Sequence, residues 1–492
     1  MGEESKIEKA GSSPLGERWK GAVVYFVGIG GIGMSAIARF FHSKGVKVSG
    51  YDKTPTTLTR ELETSGIAVH YEDNVELIPK DAELVVYTPA IPKEHKELLY
   101  YQQHGYKVVK RSDVLQMITE SSFNICIAGT HGKTTITTMV AHLLRDSGYG
   151  CNAFLGGISV NYGTNFWPQD PASTSGSDGR DICVIEADEY DRSFLKLNPD
   201  IAIITSMDAD HLDIYGTAEA VEQGFIDFSK KVKPGGLLVR QFGLKRGKEL
   251  KADRHITYSL QNESADVYAA NIRMMNGSYE FDVMMSARTP SEKDNMLDNV
   301  RLNMGGMHNV ENVIAAIAVA SSLEIENSKI KAAVASFRGV KRRFEYIVKN
   351  DKIVFIDDYA HHPEELRALI TGAMTLFKQK KCTVIFQPHL YTRTRDQADG
   401  FAEVLDMADE VILLPIYPAR ELPVEGVSSE MILSKMKNEH KRVMTKEELA
   451  GWVKNDFVKH ANKEFGEVLI TCGAGDIDTL VAPVKAILDK EI

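Results

Sequence analysis

Short apolar runs alternate with amphipathic stretches along most of the chain. Residues 22–27 form the first run, which flows into Gly28-Ile-Gly30-Gly31-Ile-Gly33, and a helical spacing follows over 34–44. Residues 46–51 read as a second strand ending at Asp52, and 84–88 as another, stopped by Pro89. Buried strands alternating with helices predict a parallel sheet covered by helices. A second unit of this kind opens at 123–128, with further strands at 182–185 and 201–205. Its stretch 241–305 alternates more weakly and reads as a strand-rich excursion, and 310–323 as an apolar, alanine-rich helix. A third unit has strands at 353–356, 382–386, 411–414 and 468–472. The expected organisation is α/β throughout: a leader over 1–20, then units at 21–122, 123–340 and 341–492. Residues 168–180, PQDPASTSGSDGR, read as a turn-rich loop.

Length agrees with this count, since 492 residues at roughly 100–200 per domain give about three domains. Hydrophobic residues make up 43% and charged residues 26%, the balance of a globular core with a polar surface. A net charge of −10 argues against nucleic acid as a main partner, because phosphate backbones need a basic field. Five cysteines at 126, 151, 183, 382 and 472 form no CxxC pair, which disfavours a metal cluster or a disulfide framework and suits the cytoplasm. The first twenty residues hold no apolar signal core, and no apolar stretch of about 18 residues exists to cross a membrane.

The sharpest chemical signal is Gly129-Thr130-His131-Gly132-Lys133-Thr134-Thr135, between a buried strand and a helical run. Glycines let backbone N–H groups turn toward phosphate oxygens, and a helix N-terminus adds positive potential. Lys133 suits the outer phosphates and Thr134 a Mg²⁺ ion. Only the inner GxxGKT of the phosphate-loop pattern is met, because Ile127 stands where its first glycine belongs. Glu186-Ala-Asp188-Glu189 and Asp208-Ala-Asp210-His211 each follow the next strands, where acidic groups serve a bound metal and His211 is a ligand or transition-state contact. Solvated acidic turns are the plain alternative. Gly28, Gly30, Gly31 and Gly33 with Asp52 fit a dinucleotide fingerprint that takes a diphosphate on a helix N-terminus, which a nicotinamide cofactor or a UDP-sugar would satisfy alike.

Further along, His308, Asn309 and Asn312 open the alanine-rich helix, as adenine contacts or, for Asn309, as a helix cap. Arg342-Arg343-Phe-Glu345 suits a γ-phosphate or a solvated boundary. Asp357-Asp358-Tyr359-Ala-His361-His362 and Gln387-Pro-His389-Leu-Tyr-Thr-Arg393-Thr-Arg395 follow strands, where α/β sheets hold ligands. The two arginines suit a carboxylate or a surface ion pair. An NAD-dependent dehydrogenase accounts for the first glycine cluster alone, and an ATP-hydrolysing switch for the second alone.

Taken together, FVGIGGIGMSAIA, YTPAIP, GTHGKTTITT, EADEYD, DADHLDIYG, GMHNVENVIAA, RRFE, DDYAHHPEE and QPHLYTRTRD resemble the Mur ligase family over nearly the whole chain. The resemblance implies three domains: a Rossmann-like one for a UDP-sugar, a phosphate-loop one for ATP and a Rossmann-like one for an amino acid. GIGGIGMS, DDYAHHP and YTRTRD resemble the members that join L-alanine to UDP-N-acetylmuramate through an acyl phosphate. Carried over, Lys133, His211, His361, Arg393 and Arg395 are catalytic. Gly129 to Thr135, His308, Asn309, Asn312, Arg343 and Asp358 hold ATP, and Thr134, Glu186 and His211 hold Mg²⁺. Gly28, Gly30, Gly31, Gly33, Met34, Ser35 and Asp52 hold the UDP-sugar, and Tyr359 and Arg395 the amino acid. Later-acting members carry a carbamylated lysine where this chain has Gln223-Gly224-Phe225, which disfavours them. A member that attaches a ready-made tripeptide during muropeptide recycling stays open, and the chain is expected to be a monomer or homodimer.

Overall fold

Val23-Val-Tyr-Phe-Val27 is β-branched and aromatic throughout, and four of its five residues are buried, as a strand covered on both faces requires. It lies at the centre of a parallel sheet in the computed structural model, which describes residues 19–173, 181–209, 212–286, 295–419 and 421–491. Across this sheet the strands run Ala68–His70, Lys47–Tyr51, Val23–Val27, Leu84–Tyr87 and Val108–Lys110. The chain winds away from Val23–Val27 in opposite directions on its two sides, so the strand's carboxyl end is a topological switch point. Trp19 packs edge-on against Phe41 and is buried, so this unit's core takes in a residue of the expected leader.

The second sheet has ten strands among the described residues. Its parallel centre is Phe123–Ala128, flanked by Ile182–Glu186 and Ile201–Ile204. The stretch expected as an excursion instead continues this sheet through Arg254–Ser259, Val267–Met275, Ser278–Met285 and Asn295–Leu302. Tyr258, Val267, Phe281 and Val300 bury into the same core as the helix Met307–Ser322, which leaves those strands no separate existence. The third sheet runs Glu345–Lys349, Ile353–Asp358, Glu467–Cys472, Lys381–Phe386, Glu410–Leu413 and Lys441–Val443, with only the first strand antiparallel.

Two seams join the units. Phe40, on the helix Ile32–Ser43, meets Phe154 and Phe166 of the second unit at 5.2 and 6.1 Å. Across the same seam the Asn165 amide donates to Ser35 Oγ at 2.9 Å and to the Ile32 carbonyl at 2.6 Å, and Lys44 pairs with Asp181. At the other seam Phe344 lies flat on Gly305, where a Cβ would come within 2.0 Å of its ring. Beside it, Tyr346 Oη and Lys349 Nζ both donate to the carbonyl of Gly277, the hairpin tip of the second sheet, at 2.8 and 3.0 Å, and Phe377 covers that glycine. Among the described residues no helix is long and apolar enough to cross a membrane, and the five cysteines are buried and unbridged.

Candidate active site

The loop after Phe123–Ala128 turns hard into the helix Lys133–Asp146. Gly129 has φ 136°, and a Cβ there would stand 1.9 Å from Thr205 Oγ1, so only glycine lets the loop lie this close to its neighbouring strand. Side chains fasten it: Thr205 Oγ1 donates to the His131 carbonyl at 2.5 Å, the His131 N–H donates to Ser206 Oγ, and the Asp208 N–H donates to Thr130 Oγ1. Thr130 and Thr135 are buried, and the His131 ring is exposed beside Asp208. The loop is therefore preformed, with its helix N-terminus directed outward.

Lys133 Nζ donates to the Gly129 carbonyl at 2.6 Å and to Glu189 Oε1 at 2.7 Å. Thr134 Oγ1 donates to Glu186 Oε1 at 3.0 Å, and the Gly156 N–H donates to the other oxygen at 3.1 Å. Burial pushes both carboxyls up, and Lys133 beside them pulls each back toward the charged form. Thr134 and Glu186 thus present a hydroxyl and a carboxylate to one point, hard oxygen donors that suit Mg²⁺ with phosphate oxygens and water completing its shell. Among the described residues no three His, Cys, Asp or Glu side chains gather as a metal cage. His211, expected as a ligand, lies outside the described residues.

The glycine turn after Val23–Val27 is folded on itself in a way that revises two expectations. Asp52 Oδ2 accepts from the Gly30 N–H at 2.7 Å, so its carboxylate braces the turn that was expected to share a ligand with it. Met34 and Ser35 are buried, and Ser35 faces the seam with the second unit, where it meets Asn165. What this turn can offer a ligand is therefore backbone N–H groups, of which Gly30 is taken by Asp52 and Gly31 by the Gly28 carbonyl. Opening from the turn is a cleft of about 240 Å³ whose walls include Gly33, Arg111, Gly156, Glu186 and Asp188. Sequence reasoning missed Arg111, Gly156 and Ser206, and placed Glu189 in an acidic motif without its role as the partner of Lys133. Arg111 opens the helix Arg111–Ser121 with no motif around it, and Gly156 acts through its backbone.

Asn312 lies against the phosphate loop, its Oδ1 2.9 Å from where a Gly132 Cβ would stand, and its amide donates to Asn309 Oδ1. Asn309 is buried and donates to the Gly305 carbonyl at 2.6 Å, so it secures the entry to its helix from inside, without capping it; the cap is Gly306. His308 lies near Arg343, and desolvation together with the arginine's charge holds its pKa down, which favours the neutral ring. Asp358 commits its two oxygens to the N–H groups of Phe344 and Ala360 at 2.6 and 2.7 Å, which makes it a brace for the Arg343 loop; burial raises its pKa.

At the carboxyl ends of the third sheet a chain of rings runs from Tyr359 to His361, His389 and Tyr417. Burial holds His361 down to about 4, and its Nδ1 donates to the Tyr359 carbonyl at 2.9 Å, leaving Nε2 with its lone pair outward. Arg393 is half-buried and reaches His389 at 3.3 Å. Arg395 is exposed and bonded to Asp396 at 2.8 Å, as a surface ion pair. Arg342, its neighbour Arg343 aside, grips the carbonyls of Gly473 and Gly475 and lies over Tyr359.

Family models match three successive stretches: the Mur ligase family catalytic domain over residues 23–122, the Mur ligase middle domain over 127–320 and the Mur ligase glutamate ligase domain over 342–475. The chain is 49% identical over 480 residues to a UDP-N-acetylmuramate–L-alanine ligase of Parabacteroides distasonis, covering 96% of this chain and 98% of that one. It is 45% identical over 473 residues to the enzyme of the same name from Flavobacterium johnsoniae, covering 95% and 98%. Among solved structures it is similar to a UDP-N-acetylmuramate-alanine ligase from Thermotoga maritima, with a TM-score of 0.75 and 26% identity over 95% and 98% of the two chains. A murein peptide ligase from Psychrobacter arcticus shares the fold at a TM-score of 0.65 and 21% identity, over 95% and 99%.

Proposed function

The chain belongs to the Mur ligase family, and from that premise we propose that it joins L-alanine to the carboxylate of UDP-N-acetylmuramate at the expense of ATP, in the cytoplasm, as a step of peptidoglycan synthesis. The observation that carries this reading is the cleft shared by the first glycine turn and Glu186, whose carboxylate meets Thr134 of the phosphate loop. A sugar nucleotide held at the turn and an ATP held at the loop bring their reacting ends to one place. Residues 21–122 take the UDP-sugar, 123–340 the ATP and 341–492 the amino acid.

The substrate carboxylate attacks the γ-phosphorus, ADP leaves, and the acyl phosphate forms. Phosphate is a leaving group where hydroxide is not, so the amine of L-alanine can then displace it through a tetrahedral intermediate. Catalysis here is positioning and charge neutralisation. Lys133 exchanges Glu189 for phosphate oxygens, and the Gly129 to Thr135 loop supplies N–H donors. Thr134 and Glu186 would hold a Mg²⁺ ion, which would supply charge neutralisation for the phosphates. Asn312 lies beside the loop, and Arg343 of the third unit comes near His308 of the second. Arg393 and Tyr359 take the carboxylate and flank of L-alanine, and the neutral His361 accepts a hydrogen bond from the amine at Nε2 and orients it.

The test is phosphate release with ATP, Mg²⁺ and UDP-N-acetylmuramate, with and without L-alanine. Release that needs both substrates is expected. Release only with a tripeptide makes this the recycling ligase, and release indifferent to both reduces the site to an ATPase.

A further inference from the structure

Arg111 stands at the amino end of the helix Arg111–Ser121, where the helix dipole disfavours a cation. Its guanidinium nevertheless reaches across to the first turn of the helix Ile32–Ser43. A Cβ on residue 33 would lie 2.3 Å from Arg111 Nη1, so Gly33 is what leaves room for the guanidinium beside that helix N-terminus. Two positive features therefore converge on one wall of the cleft. The opposite wall carries Glu186 and Asp188, and Arg111 is the only basic side chain among the described residues that line it. Its single ion-pair partner among those residues is Asp188 at 3.8 Å, too far for a hydrogen bond, while a guanidinium offers five N–H donors in a planar fork.

An acceptor carboxylate that must meet the γ-phosphate beside Thr134 has to lie along Glu186 and Asp188, both of which repel it. We propose that Arg111 receives the reacting carboxylate of the sugar substrate, offsetting that repulsion and aiming one oxygen at the phosphate loop. Planar two-donor pairing with a carboxylate is what a guanidinium does better than an ammonium. In the ligand-free protein Asp188 occupies the approach loosely, and the substrate carboxylate replaces it. This assignment rests on the ligase reading above and adds the group that orients its nucleophile.

The test compares UDP-N-acetylmuramate with UDP-N-acetylglucosamine, which has the same diphosphate and sugar but no carboxylate. Binding to wild type, Arg111→Met and Arg111→Lys is measured by calorimetry without ATP, with competition against UDP-N-acetylmuramate for the weaker ligand. Arg111→Met should lose affinity for UDP-N-acetylmuramate by about tenfold or more, the scale of one charged hydrogen-bonded contact. Affinity for UDP-N-acetylglucosamine should stay within about twofold of wild type, which also shows that the variant is folded, and KM for ATP should not move. Arg111→Lys should recover part of the loss. Equal loss for both sugars would assign Arg111 to the diphosphate or to folding, and no loss for either would leave the carboxylate to other groups; each result overturns the proposal. A wild type that binds neither sugar refutes the ligase reading itself, a separate outcome.

Discussion

Replacing Lys133 with methionine removes a cation that pairs with a carboxylate that is 1% exposed. Lys133 Nζ holds Glu189 at 2.7 Å and the Gly129 carbonyl at 2.6 Å, and its own side chain is 14% exposed. Removing one member of a buried pair costs about 3 kcal/mol, the low end of the usual range, because Glu189 can take up a proton in its place. That corresponds to a fall in Tm of roughly 6–10 °C for a unit of this size. Adding Glu189→Gln removes the stranded charge, so the double variant should recover at least about 2 kcal/mol of that loss. Activity should follow a different course. Loss of a cation that meets phosphate oxygens costs about 10²–10³ in turnover, and the double variant cannot restore it. Ligand-free thermal denaturation and L-alanine-dependent phosphate release measure the two quantities separately. A Lys133→Met protein as stable as wild type, or a double variant that regains turnover with stability, would refute the reasoning.

Gly129→Ala should abolish phosphate release and destabilise by about 2–4 kcal/mol in chemical denaturation, since its Cβ would collide with Thr205 Oγ1 at a φ that side chains avoid. Glu186→Gln should raise the Mg²⁺ concentration for half-maximal rate by about tenfold or more while leaving KM for L-alanine near wild type, read from metal titrations of phosphate release; an unchanged metal requirement excludes Glu186 from that site. His361 titrates near 4 in the folded protein and nearer 6.5 unfolded, so its stability contribution is present above pH 6.5 and is lost as pH falls toward 4. His361→Gln should therefore flatten the Tm profile between those values, and a profile identical to wild type counts against a buried neutral ring.

Much of the α/β fold was legible because parallel strands buried on both faces appear as unbroken apolar runs, as at 123–128 and 201–205. The stretch 241–305 is strand-rich as expected, but its continuity with the central sheet was hidden for the same reason in reverse. Strands such as Val267–Met275, which turn one side outward, alternate weakly and conceal that they extend the central sheet. Within the site, Gly129, Lys133 and Thr134 could be read because a tight glycine turn from strand to helix fixes their spacing. Arg111 could not, since its place in the cleft depends on a packing partner, Gly33, that is distant in sequence. Asp52, Met34 and Ser35 show the converse. Each lies in or beside a recognisable motif, but a hydrogen bond from Gly30, burial in the core and a bond from Asn165 employ their side chains locally.

The third sheet is attached to the second at one edge, by Phe344 on Gly305, the Tyr346–Lys349–Phe377 clamp on Gly277 and the backbone bond from Lys341 to the Ile158 carbonyl. In any turn of the third sheet about that edge, displacement grows with distance from it. Arg343 adjoins Phe344 and so barely travels. The strand Lys381–Phe386 lies three positions across the sheet from Glu345–Lys349, roughly 14 Å away at the usual strand spacing. His389 and Arg393, carried just beyond it, move on the long arm of the lever. On the proposed reading, in which Arg343 serves ATP and Arg393 L-alanine, a turn of the third unit would open the amino-acid side widely while Arg343 stays in place.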